Sequence, residues 1–244
     1  MLAIALGIGI GLMVLERIIP DRKLPHVKGW WARVVIINAL QLGVVLLGTA
    51  TWDRWFRGVS LGNLGRILPA PAGGFVSYLI ITFIFYWWHR VRHESNLLWL
   101  ALHQIHHSAS RIETVTSFYK HPLEILCNSL IIGFLNYVLL GIGPEGSAWT
   151  LLYTSLGEYF YHMNIATPHW VGRFFQRPEM HRIHHERGRH HSNFSDLPLW
   201  DALFGTYRNP RVSEETCGFK PEREARFLPM LGFRNVNGPM KEAP

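Results

Sequence analysis

Residues 67–88 read ILPAPAGGFVSYLIITFIFYWW and contain no Asp, Glu, Lys or Arg. Residues 34–52 and 125–144 are equally free of these four residue types. A helix that crosses the hydrocarbon core of a bilayer needs about 20 consecutive, predominantly apolar residues. These stretches therefore predict transmembrane helices, and they favour an integral membrane protein over a soluble helical protein with buried core helices.

Two further stretches, residues 2–15 and 146–165, extend this pattern. Residues 2–15 are apolar but lack the basic start of a secretory signal peptide, so they predict a first, anchored helix that continues through Ile18 and Ile19. We expect an all-α integral membrane protein, a single membrane domain over residues 1–244 with a bundle of about four to five transmembrane helices. The expected spans lie near residues 2–15, 34–52, 67–88, 125–144 and 146–165.

Basic residues are distributed unevenly between the two sides of this bundle. If all five stretches cross the membrane, the segments on one side carry 21 of the 24 Lys and Arg residues. The positive-inside rule places that side in the cytoplasm. Residues 89–124 and 166–215 lie there and predict a cytoplasmic, histidine-rich helical cap.

The net charge of +7 calls for no nucleic-acid partner, because a face against anionic lipid is ordinarily basic. The membrane would be the inner membrane of a bacterium or the endoplasmic reticulum of a eukaryote.

Eight of the 14 histidines fall in three tight clusters within this cap. They are His89-Arg90-Val91-Arg92-His93, His103-Gln104-Ile105-His106-His107 and His181-Arg182-Ile183-His184-His185. On a helix, residues at i, i+3 and i+4 share one face, so each cluster is expected to aim its imidazoles at a common point. Imidazole suits iron, copper, nickel and zinc. Eight such ligands exceed the need of one four-coordinate metal and predict two metals.

His162 and Glu158 form an i, i+4 pair near the cytoplasmic end of the fifth expected span. Ionisable groups at that depth are costly and usually face the bundle interior with a partner. We therefore expect His162 to be a ninth ligand. Glu158 is either a tenth ligand or the acceptor of a hydrogen bond from a ligating histidine. His121 could line the site or cap the following helix, and His190 and His191 are expected in an exposed loop.

Several motifs follow one another in order along the chain. They are His89-x-x-x-His93, His103-x-x-His106-His107, Thr116-x-x-x-x-His121-Pro122, the isolated His162, His181-x-x-His184-His185, Asn193-Phe194 and Leu199-Trp200-Asp201-Ala202-Leu203-Phe204-Gly205-Thr206. Over residues 86–206 this order resembles the fatty acid hydroxylase/sterol desaturase superfamily. One position departs from the pattern, since His191 stands where members often have an acidic or amide residue.

The resemblance implies a non-heme di-metal oxygenase that uses dioxygen on a membrane lipid, by hydroxylation, desaturation or ether-bond oxidation. It implies two iron ions, with zinc also found in isolated members. The implied ligands are His89, His93, His103, His106, His107, His162, His181, His184 and His185. Asn193, Trp200 and Asp201 are expected to brace the cap, and Asn193 and Asp201 join Glu158 and His121 as candidates to support the ligands.

The sequence contains no stretch that resembles cytochrome b5, so we expect a separate electron donor of the ferredoxin or cytochrome b5 type with its reductase. Two other functions are weighed against the oxygenase. A zinc-dependent membrane hydrolase commonly carries His-Glu-x-x-His, which is absent here. A metal transporter places its ligands near the bilayer midplane, whereas these clusters follow the ends of the expected spans.

Overall fold

The computed structural model describes residues 1–212 and 216–238, and all regular elements in that part of the chain are helical. The one β-type pairing among the described residues is an isolated bridge between Glu186 and Cys217. The prediction of an all-α fold is therefore confirmed. Residues 213–215, the last of the expected cap, and residues 239–244 of the expected membrane domain lie outside the described part.

The α-helices are numbered in chain order. They are α1 (Leu2–Ile18), α2 (Trp30–Ala50), α3 (Trp52–Arg57), α4 (Leu64–Ile67), α5 (Ala70–Glu94), α6 (Asn96–Leu98), α7 (Gln104–Ser108), α8 (Pro122–Gly133), α9 (Pro144–His162), α10 (Pro178–His184), α11 (Pro198–Leu203), α12 (Pro221–Glu224) and α13 (Phe227–Leu231). Two π-helical turns, Trp99–His103 and Phe134–Leu139, and two 3-10 turns, Thr114–Phe118 and His169–Arg173, connect them.

Three helical segments of the described residues are long and apolar enough to cross a membrane by length and composition. They are Trp30–Arg57, Ala70–Glu94 and Pro122–Leu139. Helices α1 and α9 form at the two remaining expected positions but are not in this set. Helix α1 has only 17 residues, and α9 carries Glu145 and Glu158. A bundle of four to five spans therefore stays a prediction.

The long helices pack closely at small residues. Helix α5 lies against α9, and a Cβ atom added to Gly74 would come within 2.7 Å of the carbonyl oxygen of Gly146. The hydroxyl of Thr150 donates to the carbonyl of Gly74 at 3.3 Å across the same crossing. Small residues let helix backbones approach each other in membrane proteins. This contact lies near the starts of α5 and α9, and the opposite ends of the two helices carry His89, His93 and His162.

The segment that carries His103, His106 and His107 rests on an apolar core. That core joins the start of α2, the start of α8 and the C-terminal part of the described chain, and it includes Ile105 of α7. Within α7, His106 and His107 directly follow Ile105 and are themselves buried. The π-helical turn Trp99–His103 leads directly into α7 and sets the register of His103 against them. Such wide turns are frequent at functional sites.

Candidate metal centre

The nine histidines expected as ligands lie in two adjacent groups. Group one consists of His89, His93, His103, His107 and His184, and group two of His106, His162, His181 and His185. Within each group, one nitrogen from every ring lies within 4.8 Å of all the others. The groups touch through the rings of His107 and His185, whose centroids are 4.2 Å apart. The two groups thus form one continuous imidazole cluster.

The grouping corrects the expectation that each sequence cluster shares a single point. His103 and His107 are in group one, but His106 between them is in group two. His181 and His185 are in group two, but His184 is in group one. On a helix, residue i+4 is rotated by about 40° from residue i, and residue i+3 by about 60° in the opposite direction. The i, i+4 pair of each cluster therefore stays together, and the i+3 histidine turns to the other group.

Group one contains buried nitrogen atoms that have no hydrogen-bond partner. They include the Nε2 atom of every ring in the group, those of His89, His93, His103, His107 and His184. A buried polar nitrogen without a partner is costly. Five such atoms converging on one point form a donor set that a metal ion would satisfy. The residues present therefore fit a bound transition metal, for which imidazole nitrogen is a suitable ligand.

Group two shows the same convergence by short contacts between ring nitrogens. The Nε2 atom of His181 lies 3.0 Å from Nε2 of His162 and 3.0 Å from Nε2 of His185. A neutral imidazole carries a proton on only one nitrogen, so the three rings cannot all satisfy one another. His106 completes the group, with its ring centroid 4.6 Å from that of His185. This arrangement also fits a metal ion.

Backbone carbonyls orient four of the rings. The Nδ1 atoms of His89, His184 and His162 each lie 2.8 Å from a carbonyl oxygen, of Phe194, Ser192 and Glu158 respectively. The Nδ1 atom of His106 lies 3.3 Å from the carbonyl of Tyr119. Because a carbonyl oxygen only accepts, these Nδ1 atoms carry the proton and donate it. The Nε2 lone pairs are then free to bind a metal, as in other histidine metal sites.

The carboxylate of Glu158 is outside both groups. Its Oε1 atom accepts a hydrogen bond from Nζ of Lys120 at 2.7 Å, and its Oε2 atom is 3.8 Å from Nδ1 of His162. The backbone carbonyl of the same residue is the closer acceptor for His162. The carboxylate of Glu158 is therefore placed in neither of the two roles considered, and its backbone carbonyl accepts the hydrogen bond from His162 instead.

Glu124 is a functional candidate that the sequence reasoning missed. It is fully buried, and its Oε2 atom lies 3.1 Å from Nδ1 of His103. Its Oε1 atom accepts from the guanidinium of Arg92, which is also buried. A carboxylate at this position accepts a hydrogen bond from the Nδ1–H group of His103 and leaves Nε2 as the atom that could bind a metal. The available signal was an acidic residue in the first turn of an apolar helix, three residues after His121.

Asn193 and Asp201 brace the chain segment that orients group one. Asp201 accepts hydrogen bonds from the backbone nitrogens of Phe194 and Ser195 at 2.8 and 3.0 Å. Asn193 has a φ of 58°, in the left-handed region that asparagine tolerates better than most residues. Its side-chain nitrogen donates to the carbonyl of Met180 at 2.8 Å and so ties the segment to α10.

Two neighbouring side chains add to this bracing. Gln176 was not singled out from the sequence, but its Nε2 atom donates to the carbonyl of Asn193 at 2.9 Å and lies 3.1 Å from Nδ1 of His181. Trp200 donates from its indole nitrogen to the hydroxyl of Thr82 in α5 at 2.9 Å. These contacts connect the segment to both metal groups and to a long helix.

The remaining histidines divide into three situations. His121 caps α8, where its Nδ1 accepts from the backbone nitrogen of Leu123 at 3.0 Å, so the capping alternative agrees with the structure. His190 is half-buried, with its ring centroid 4.7 Å from that of His107, and not in the exposed position expected. The hydrogen bond between its Nδ1 and the carbonyl of His184, 3.3 Å long, folds the loop back onto group one. His191 is exposed, as expected.

Burial keeps these imidazoles in the neutral form that binds metal. Burial, reinforced by the neighbouring rings, lowers the pKa of His106, His107 and His185 well below the ordinary value. Burial also lowers the pKa of His184, to about 3. A neutral ring offers a lone pair, whereas an imidazolium does not. At neutral pH the cluster is therefore a set of nitrogen donors without charge.

Comparison with known proteins points to one family. The sequence model described as Fatty acid hydroxylase matches residues 74–206, more than half of the chain. Alkylglycerol monooxygenase of Homo sapiens is 30% identical over 144 residues, which are 57% of this chain and 31% of that protein. Ornithine lipid hydroxylase OlsE of Rhizobium tropici is 29% identical over 160 residues, 63% of this chain and 47% of that protein.

A plant relative extends the comparison. Sphinganine C4-monooxygenase 1 of Arabidopsis thaliana is 28% identical over 149 residues, 58% of this chain and 56% of that protein. The chain thus spans about a third to a little over half of the length of these relatives. No solved structure matches it. The matched residues 74–206 contain all nine histidines of the two groups.

Proposed function

The chain belongs to the fatty acid hydroxylase family, and on that premise we propose that it is a membrane-bound oxygenase that hydroxylates a lipid with dioxygen. The observation that carries the proposal is the pair of adjacent histidine groups. Each relative named above is called a monooxygenase or hydroxylase, and the names alkylglycerol, ornithine lipid and sphinganine support a lipid substrate.

The nine histidines would hold two iron ions, with zinc as the ion that an isolated preparation could carry instead. Bound iron would supply the reductive activation of dioxygen that oxidation of an unactivated C–H bond requires. The chain's own contribution is to keep the rings neutral by burial and to fix their orientation. The carbonyls of Phe194, Ser192, Glu158 and Tyr119 and the carboxylate of Glu124 hold the Nδ1 protons away from the metal.

The position of the cluster suits a lipid substrate. His89 and His93 lie in the last turns of α5, a helix apolar enough to cross a membrane. A lipid chain lying along the apolar helices would reach the metal groups from the bilayer side. The excess of basic residues on the same side supports a cytoplasmic position for the cap. Electrons would come from a separate donor of the ferredoxin or cytochrome b5 type.

Desaturation uses the same kind of centre but adds no oxygen atom to the lipid, so the test below separates it from the proposed hydroxylation. Ether-bond oxidation by way of hydroxylation remains within the proposal. A zinc hydrolase is less well supported, because a catalytic zinc takes three protein ligands and an open position, and nine imidazoles exceed that need. A transporter is also less well supported, since the ligands follow the ends of the apolar helices instead of lying at their middle.

The test compares the lipids of host cells with and without the gene, grown under isotope-labelled dioxygen. We expect a lipid that carries one labelled oxygen atom and that disappears with His106→Ala. His191→Ala, at an exposed position, is the matched control and should leave the labelled lipid in place. If no lipid acquires label, or if the His106→Ala cells make the labelled lipid at the wild-type level, the proposed function is wrong.

A further inference from the structure

A groove between α1, α2 and α9 contains polar groups that no residue nearby satisfies. The groove has a volume of about 200 Å³ and ends at the 3-10 turn Thr114–Phe118. Its walls are mostly apolar, with Leu6 and Ile10 from α1, Leu42 from α2 and Leu151 from α9. Leu6, Ile10 and Leu42 are also exposed on the outside of the fold. The groove therefore opens sideways, between helices, at the level of an apolar span.

Three side chains in this groove have hydrogen-bonding groups without a partner among the described residues. The amide of Gln41 and the hydroxyls of Ser155 and Tyr159 line the same groove, and the hydrogen bonds of the described residues include none from them. In hydrocarbon an unsatisfied polar group costs several kcal/mol. A groove of this kind suits a ligand that is apolar along its length and polar at one point.

The inner end of the groove lies beside the metal centre. The rings of Phe118 and Tyr159 meet edge to face there, with centroids 5.4 Å apart. The next residue after Phe118 is Tyr119, whose carbonyl orients His106, and one turn after Tyr159 is His162. The Phe118–Tyr159 pair therefore separates the groove from group two by the width of two side chains.

We propose that this groove binds one hydrocarbon chain of a bilayer lipid that bears a neutral hydrogen-bonding group, such as a hydroxyl, ether or amide, which pairs with Gln41 and Ser155. A bilayer lipid is the occupant because hydrocarbon is what surrounds the exposed edge formed by Leu6, Ile10 and Leu42. The absence of Asp, Glu, Lys and Arg from the lining favours a neutral group over a charged one. That the bound lipid is the substrate rests on the proposed function.

Two glycines of α1 provide a matched pair of variants. A Cβ atom added to Gly9 would come within 2.8 Å of the ring of Tyr159, inside the groove. A Cβ atom added to Gly7 would meet nothing within 4 Å. Gly9→Leu is therefore expected to fill the groove, and Gly7→Leu to leave it open. Ser155→Leu fills it from the opposite wall, on α9.

The test uses the full-length, metal-loaded protein in lipid nanodiscs and two photoreactive probes, octadecanol and octadecane, each with a diazirine in the chain. We expect both probes to label groove residues. Gly9→Leu and Ser155→Leu should each reduce labelling of the groove roughly tenfold, and Gly7→Leu should not change it. Gln41→Leu should weaken octadecanol labelling roughly fivefold, about the value of one hydrogen bond, and leave octadecane unaffected. Bound metal per chain, equal in all variants, shows that each is folded.

The proposal is overturned if labelling does not respond to Gly9→Leu and Ser155→Leu, or if Gln41→Leu lowers the labelling by both probes equally. Its failure is distinguishable from that of the proposed function. If the groove is labelled but no oxidised lipid is found, the groove still binds lipid and the proposed oxygenase function is wrong. Lipid oxidation at the wild-type rate in Gly9→Leu and Ser155→Leu would leave the oxygenase in place and show that the lipid bound in the groove is not its substrate.

Discussion

A single proton on each imidazole decides whether the buried histidines can bind metal. In His89, His106, His162 and His184 the Nδ1–H group donates a hydrogen bond to a backbone carbonyl, so Nε2 keeps its lone pair. In His103 the acceptor of this hydrogen bond is the carboxylate of Glu124. The tautomer is therefore set by main-chain and carboxylate oxygens that the fold brings to the rings.

His93 tests whether group one binds its own metal. It is in group one, and neither ring nitrogen has a hydrogen-bond partner. We expect His93→Ala to weaken the binding of one of the two ions and to leave the other unchanged, because group two keeps all four of its histidines. Competition with a chelator followed by elemental analysis measures this, with His191→Ala as the control. Wild-type affinity for both ions in His93→Ala would contradict the assignment of His93 to a metal site.

Glu124 tests the support of a ligand through hydrogen bonding. Glu124→Ala removes the acceptor for His103 and leaves the buried Arg92 without its carboxylate. Loss of such an outer partner typically weakens metal binding by about 10- to 100-fold. Glu124→Gln keeps an acceptor oxygen and should weaken binding less. Competition with a chelator measures both affinities, and equal, wild-type affinity in the two variants would reject this role.

The segment between α10 and α11 is the element that connects the bracing residues to the metal centre. Its Ser192 and Phe194 carbonyls orient His184 and His89, and Asp201 at the start of α11 holds the backbone nitrogens of the same segment. Histidines from α10 and α5 thus depend on a short loop. Any shift of this loop changes two ligands of group one together.

Asp201→Asn is the variant that loosens this segment. The new amide NH2 would face a backbone N–H that now donates to the carboxylate, so at least one hydrogen bond is lost. We expect weaker metal binding in group one, with the helix content retained by circular dichroism. Leu199→Ala, at an exposed position of the same helix, is the control. Unchanged metal affinity in Asp201→Asn would show that the segment is held without this carboxylate.

The burial of so many imidazoles makes the stability of the whole molecule dependent on pH. Burial lowers the pKa of His106, His107 and His185 well below the ordinary 6.5 and that of His184 to about 3, so the folded protein keeps these rings neutral. The unfolded chain takes up protons as the pH falls below about 6.5, and the stability of the fold falls with it.

We therefore expect the melting temperature of metal-free protein to drop as the pH is lowered from 7 to 5. Metal binding should add to the slope, since protons compete with the ion for the same nitrogen atoms. Thermal unfolding at several pH values, with and without metal, measures both effects. A melting temperature that stays constant between pH 7 and pH 5 would contradict neutral burial of the cluster.

Much of this molecule could be predicted from its sequence. Long charge-free stretches such as residues 67–88 predict helices, because few other structures satisfy the hydrogen-bonding groups of the backbone in lipid. Eight of the nine histidines are recognisable because i, i+3 and i+4 spacing concentrates imidazoles, and His162 because it forms an i, i+4 pair with Glu158 near the end of an expected span. Their division into two groups was not predicted, since it depends on how α7 and α10 rotate against α5 and α9. Glu124 and Gln176 were missed for the same reason: their roles come from contacts between distant segments.

The most direct test of a two-metal centre is the number of iron ions in the intact protein. Protein purified anaerobically from iron-supplied cells is analysed for iron and zinc together, and the metal is divided by the protein concentration from amino-acid analysis. The account predicts two metal ions per chain, bound by the two histidine groups. A single ion per chain, or none under conditions in which the protein is folded, would contradict it.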